Sequence, residues 1–147
     1  MNLDFLMMAD RAEAINGKLY MVGGGFDRVG VPSFPGSANY DIAFAFMVEY
    51  NETNQVHEFS LTVQDEDNNV VLGPIGGRLE VGRPPGMVAG QDQRVIIVFR
   101  GPFPVSAAGN FKWVPVLDGV PGRPTRFRVE QIALPQPPAA VPPPAST

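Results

Sequence analysis

A single histidine, His57, opens the run His57-Glu58-Phe59-Ser60-Leu61-Thr62-Val63-Gln64. As a general base it would need an orienting carboxylate on one ring nitrogen and a nucleophile within reach of the other. The alternation puts it on the side of Phe59, so the sequence predicts a partly buried histidine near the rim of a sheet. With no cysteine, thiolate catalysis and disulfides lack their residues, one histidine is too few for a multi-histidine zinc site, and a partly buried rim histidine disfavours a histidine triad. Asp65, Asp67 and Asn69 set oxygen ligands at alternate positions, a spacing calcium favours. The glycine and closing bidentate glutamate of a helical-hand loop are missing, which favours a plain hairpin turn. Gly23-Gly24-Gly25 lacks the Lys-Ser/Thr ending of a phosphate cradle, and no amphipathic helix follows to present its amides. These glycines, like Gly76-Gly77, read as bulges or close backbone crossings. Arg126 and Arg128 could join Arg94 or Arg100 in a basic stripe, or guard an edge against sheet-to-sheet aggregation. No catalytic residue, metal ligand or cofactor site is nominated.

The elements that would hold these residues are short strands. In 57–64, Phe59, Leu61 and Val63 share one face while Glu58, Ser60, Thr62 and Gln64 share the other, the period of a half-buried strand. After the Asp65–Asn69 turn, Val70-Val71-Leu72 returns as a hairpin arm. The same test predicts strands at 3–9, 18–23, 40–50, 94–100, 111–117 and 126–132. Segment 40–50 is apolar on both sides, as expected of a strand covered twice. Val95-Ile96-Ile97-Val98-Phe99 is rich in β-branched types. Pro115 cannot donate to a ladder, so its strand is expected at an edge or bulged. Ala9–Ile15 has helical propensity for two turns at most before Asn16-Gly17 stops it. Elsewhere sixteen glycines and sixteen prolines recur too often for a long helix. Seven or eight strands with turns between them predict an all-β antiparallel sandwich over residues 1–133.

Two linkers, 24–39 and 73–93, are long enough to be functional, mobile or to hide a strand, for which Arg78–Val81 is the candidate. From Leu134 the chain reads LPQPPAAVPPPAST, a proline-rich tail expected to be flexible or extended. Across the 147 residues, 44% are hydrophobic and 18% charged, enough apolar material for a core and too little charge for a disordered chain. The net charge of −4 argues against a nucleic-acid module held by phosphate contacts. No apolar run approaches the length of a bilayer span, and the first ten residues lack the features of a secretory signal, so the expected location is cytoplasmic.

The segment DFLMMADRAEAINGKLYMVGGGFDRVG joins an apolar strand ending in Ala9-Asp10, a Gly17-Lys18-Leu19-Tyr20 restart and the Gly23-Gly24-Gly25-Phe26-Asp27 run. With the later His57-x-Phe59-x-Leu61 strand and its acidic turn, it resembles small bacterial and phage-borne proteins grouped as the domain-of-unknown-function family DUF6941. That resemblance covers roughly residues 1–133 and implies a β-sandwich without implying an activity. A second likeness is architectural: Gly109-Asn110-Phe111 leading through Trp113 to Phe127-x-Val129 resembles the last hairpin of immunoglobulin-like domains. Phe111 stands where a tyrosine often sits, so the hydroxyl bond of that motif is lost.

Phe26, Phe34, Met87 and Phe103 sit in Gly/Pro-rich loops. Left in water they would cost about 25 cal/mol per Å² of apolar surface, so they either fold back over a sheet end or meet a partner. The expectation is a non-enzymatic structural or accessory protein acting through protein contacts, self-associating through a sheet edge or these loop residues. The alternative is a small-ligand or carbohydrate-binding module with Trp113 or loop aromatics as stacking surfaces.

Overall fold

The computed structural model describes residues 1–141 and Ala145. Twelve strands run in chain order: β1 (Asn2–Ile15), β2 (Lys18–Gly24), β3 (Arg28–Val31), β4 (Gly36–Ala38), β5 (Asp41–Glu49), β6 (Val56–Gln64), β7 (Val70–Glu80), β8 (Asp92–Arg100), β9 (Phe103–Val105), β10 (Gly109–Leu117), β11 (Val120–Pro121) and β12 (Thr125–Gln131). A first sheet has the order β2-β1-β5-β8; a second has β3-β12-β10-β6-β7, with β11 on β10. A β4-β9 ribbon stands apart from both. All pairings are antiparallel except β3 on β12.

Period-two alternation places the core between the layers. Leu6, Met8, Ile42, Phe44, Phe46 and Val48 come from the first sheet; Leu61, Val63, Trp113, Leu117, Phe127 and Val129 come from the second. Each large buried side chain contributes about 1.5–3 kcal/mol of transfer free energy. Trp113 has no exposed surface, and its Nε1–H donates to the Tyr40 hydroxyl at 3.2 Å. Burial pushes the Tyr40 phenol up, which keeps that hydroxyl protonated.

The sandwich is as expected, and four features differ from the sequence reading. There are twelve strands rather than seven or eight, because β3, β4, β9 and β11 are two to four residues long, too short to carry a period. The segment Ala9–Ile15 is strand, not helix. It pairs with β2 from Ala9↔Gly24 to Ile15↔Lys18, and Asn16 (φ 50°) and Gly17 (φ 72°) form the two-residue turn between them. The Ala12 amide also donates to the buried Asp41 carboxylate at 2.9 Å. Pro115 lies in β10, inside the second sheet. It is tolerated because β12 pairing stops at Trp113 and β11 pairing starts at Val116, so the proline sits at the gap. The second linker shrinks to residues 81–91, since β7 continues to Glu80.

β12 ends at Gln131, and residues 134–141 and 145 are without regular structure, 134–141 all exposed. The rest of the expected tail, 142–144 and 146–147, lies outside the described residues. No helix among the described residues is long and apolar enough to cross a membrane.

Candidate functional site: an open sheet edge

β8 is a strand because five consecutive apolar residues, four of them β-branched, favour a pleated surface. It pairs with β5 without a register shift from Asp92↔Glu49 to Arg100↔Asp41. Val95, Ile97 and Phe99 turn inward and pack against the core. Ile96 and Val98 turn outward, level with Ala45 and Ala43 and, one strand further, with Phe5 and Met7. The charges stand near the ends and are held flat on this outer face: Arg94 on Asp4 at 2.6 Å and Arg100 on Glu13 at 2.6 Å. Among the described residues no strand pairs with the far side of β8, and Val95 to Phe99 are all partly exposed.

Among the described residues, the other edges of the two large sheets are shorter or interrupted. β2 is seven residues and ends in two glycines; β3 is four residues and is followed by Pro32. β7 carries Gly73 (φ 94°), Pro74, Gly76, Gly77, Arg78 and Glu80, and its pairing with β6 slips twice. Pro, charge and irregular register are the devices that keep an edge from templating another strand.

The loop aromatics sit elsewhere. Phe103 is 5% exposed on β9, its ring 4.9 Å from Tyr40 and 5.3 Å from Trp113. Phe26 meets Tyr40 edge-on at 6.4 Å, and Phe34 packs against the same core. Met87 lies apart in the 81–91 loop, where its sulfur accepts from Gln93 Nε2 at 3.3 Å. Beside Tyr40 and Phe103 a small apolar mouth of about 170 Å³ opens, lined also by Val63, Leu72, Phe111 and Val129.

His57 is buried at the start of β6 with both ring nitrogens engaged. Nδ1 lies 2.7 Å from Asp118 Oδ2 and Nε2 lies 2.6 Å from the Glu52 carbonyl. A carbonyl only accepts, so Nε2 carries a proton; a carboxylate at Nδ1 favours a second one. The Glu52 carbonyl, then the Asp118 carboxylate, raise the histidine's pKa against the opposing effect of burial. Burial works against the Asp118 carboxylate as well, but the bonds from His57 and the Glu58 amide outweigh it and hold its pKa low. The result is a structural ion pair that ties β6 to the β10–β11 turn. No free ring nitrogen remains to take a proton.

Asp65 Oδ1 accepts from the Asp67 and Asn69 amides at 2.9 Å, so its carboxylate closes its own turn. Among the described residues no three His, Cys, Asp or Glu converge in a metal-holding group. Arg126 and Arg128 lie on the outer face of the second sheet with Arg28 and Lys112, whereas Arg94 and Arg100 belong to β8 in the first. The sequence showed β8 as a strand of five apolar residues without Pro, Gly or charge, but not that it lies at an edge. The Asp118 partner of His57, sixty-one residues away, left no local signal.

Fold and site together define an all-β sandwich in which, among the described residues, β8 is the longest edge of the two large sheets without Pro, Gly or a register shift. The chain belongs to the family of unknown function DUF6941, whose profile matches residues 4–130, from the start of β1 to near the end of β12. No curated protein and no solved structure matches the chain significantly.

Proposed function

We propose that the chain is a non-enzymatic structural or accessory subunit that pairs with a second copy of itself along β8. The observation that supports this reading is the open edge: nine residues, about 30 Å long, whose five central residues, Val95–Phe99, are apolar on both faces. Two β8 strands are also self-complementary in one antiparallel register. With Ile96 opposite Ile96, Val95 faces Ile97, and Asp92 faces Arg100 at both ends. Sliding the centre to Ile97 sets Arg94 against Arg100, which like-charge repulsion disfavours. Centring the pair between two residues would turn the inner face of one sheet toward the outer face of the other. A dilution series by light scattering tests the proposal. A dimer that dissociates only at low concentration supports it, and a strict monomer at high concentration overturns it.

The setting we propose is the one the resemblance implies, a bacterial or phage-borne protein of the cytoplasm. Its β10–β12 hairpin would follow the immunoglobulin-like plan, a reading supported by Gly109 ahead of Phe111 at the start of β10. The tail from Leu134 would be a spacer, and deleting 134–147 should leave the melting temperature nearly unchanged.

The small-ligand reading has weaker support. Trp113 has no exposed surface and offers no stacking face. The apolar mouth, at about 170 Å³, is smaller than the roughly 300–1,000 Å³ of ordinary ligand pockets.

A further inference from the structure

We propose that the outer face of the second sheet holds a binding site for a small, multiply charged oxyanion, with Arg28, Lys112, Arg126 and Arg128 as its ligating groups. The face is built by register. Arg28 of β3 stands opposite Arg128 of β12, and Arg128 stands opposite Asn110 of β10. One step along, Arg126 stands opposite Lys112, which is followed by Gln64 of β6. Adjacent strands are about 4.8 Å apart and same-face neighbours along a strand about 7 Å, so the four cations fall within one small-molecule footprint. A cleft of about 570 Å³ lies over them, within the range of ligand pockets.

The electrostatics of this face are unusual for a chain of net charge −4. Four of its eleven basic residues gather here. Two cross-strand pairs, Arg28/Arg128 and Lys112/Arg126, set like charges directly opposite each other, an arrangement that costs stability unless something neutralises it. Asp27, Asp65 and Glu66 also line the cleft, but none of them forms an ion pair with the four cations. Asp65 is committed to its own turn, Glu66 accepts from Asn110 Nδ2 at 2.8 Å, and Asp27 stands at the rim before β3 begins. Glu130 reaches Arg128 alone, at 3.4 Å, and Lys112 Nζ donates to the neutral Asn68 side chain. The arginine ion pairs among the described residues involve Arg11, Arg78, Arg94, Arg100 and Arg128, so Arg28 and Arg126 have no acid. Guanidinium groups bind phosphate, sulfate and carboxylate oxygens in pairs, and Asn110 supplies an amide beside them.

The test is thermal unfolding of the full chain with pyrophosphate, against sodium chloride at matched ionic strength, with citrate as a third arm. Millimolar pyrophosphate should raise the melting temperature by several degrees beyond the chloride control. R28Q/R126Q should abolish the response, while R78Q, which lies outside the cleft, should keep it. An equal response to citrate assigns the site to oxyanions generally; a response to pyrophosphate alone assigns it to phosphate. Without anion, R28Q/R126Q should melt at or about 1–3 °C above the parent, because like-charge contacts are relieved. Three results would each overturn the proposal: no rise beyond chloride, a rise that R28Q/R126Q retains, or a double variant that melts well below the parent.

Discussion

Strands β7 and β8 follow one another in the chain and each ends its sheet, yet their sequences handle the open side in opposite ways. β7 reads VVLGPIGGRLE, and β8 reads DQRVIIVFR. β7 interrupts its hydrogen-bonding row with Pro74, slips register twice against β6 and ends in Arg78 and Glu80. Its Gly73 needs the left-handed backbone (φ 94°), and its Gly76 needs the absence of a Cβ, which would fall 2.0 Å from the Phe59 carbonyl oxygen. β8 has none of these features between Arg94 and Arg100. The fold therefore contains a means of closing an edge and applies it to one of two neighbouring strands. The proposed pairing of β8 with a second copy would account for this difference, because an edge left unguarded can template another strand.

The largest effect expected is at β7. Gly76→Val drives a side chain into the Phe59 and Ser60 backbone, which cannot move away cheaply, and should cost about 3 kcal/mol in denaturant unfolding. A loss under about 0.5 kcal/mol would mean that β7 can be rebuilt as a regular strand, and the contrast between the edges would be incidental. Next comes Ile96→Lys, which places two ammonium groups face to face at the centre of the proposed pairing. Dimer affinity should fall about 30- to 100-fold, equivalent to about 2–3 kcal/mol, with the monomer's unfolding nearly unchanged. Val71→Lys, at an exposed position on β7, should leave the assembly state alone.

The ion pair beneath β7's partner strand gives a smaller, pH-dependent contrast. His57 has a raised pKa in the folded state, so its stabilisation is fully present below the ordinary histidine value of about 6.5 and is lost as pH rises through the raised value. Asp118 has a lowered pKa, so its share is present above the ordinary carboxylate range and is lost as pH falls through the lowered value. The pair is strongest between those limits. His57→Gln should cost about 1 kcal/mol there, held down by solvent at the half-exposed Asp118. The gap between parent and variant should close as pH rises past the histidine's raised value. Hydrogen exchange should show the loosening at the start of β6 and the end of β7, with β5 and β8 unaffected; equal loosening in both sheets would break the comparison. The smallest effect concerns register. Asp92→Lys should weaken the dimer only a few-fold, about 0.5–1 kcal/mol, and adding Arg100→Glu should restore much of it.

The layers of the sandwich were legible because alternation is local. Phe59-x-Leu61-x-Val63 and Phe127-x-Val129 each declare their inner face within a few residues. Asn16-Gly17 shows the opposite case. The same dipeptide serves as a helix stop or a hairpin turn, and only the Ala9–Ile15 pairing with Lys18–Gly24 decides between them. The short strands β3, β4, β9 and β11 exist because neighbours supply their hydrogen bonds, which no pattern inside them records. Long-range geometry hid the rest. Asp118 reaches His57 through a left-handed turn (φ 49°), and Arg28 joins Arg128 through a parallel pairing one hundred residues away. The five apolar residues of β8 were plain in the sequence, but that they end a sheet follows only from the order β2-β1-β5-β8.

The central claim is tested most directly by Ile96→Cys in a chain that has no cysteine of its own. In the proposed register the two introduced thiols face each other across adjacent strands, at a Cα separation of about 4.5–5.5 Å that a disulfide can span. Val98→Cys faces Arg94 of the second copy and stands about 14 Å from its own counterpart. Rapid oxidation of Ile96→Cys to a covalent dimer at micromolar concentration, with Val98→Cys remaining monomeric, is the expected result. Slow and equal cross-linking of both variants, beside a strictly monomeric parent, would contradict it.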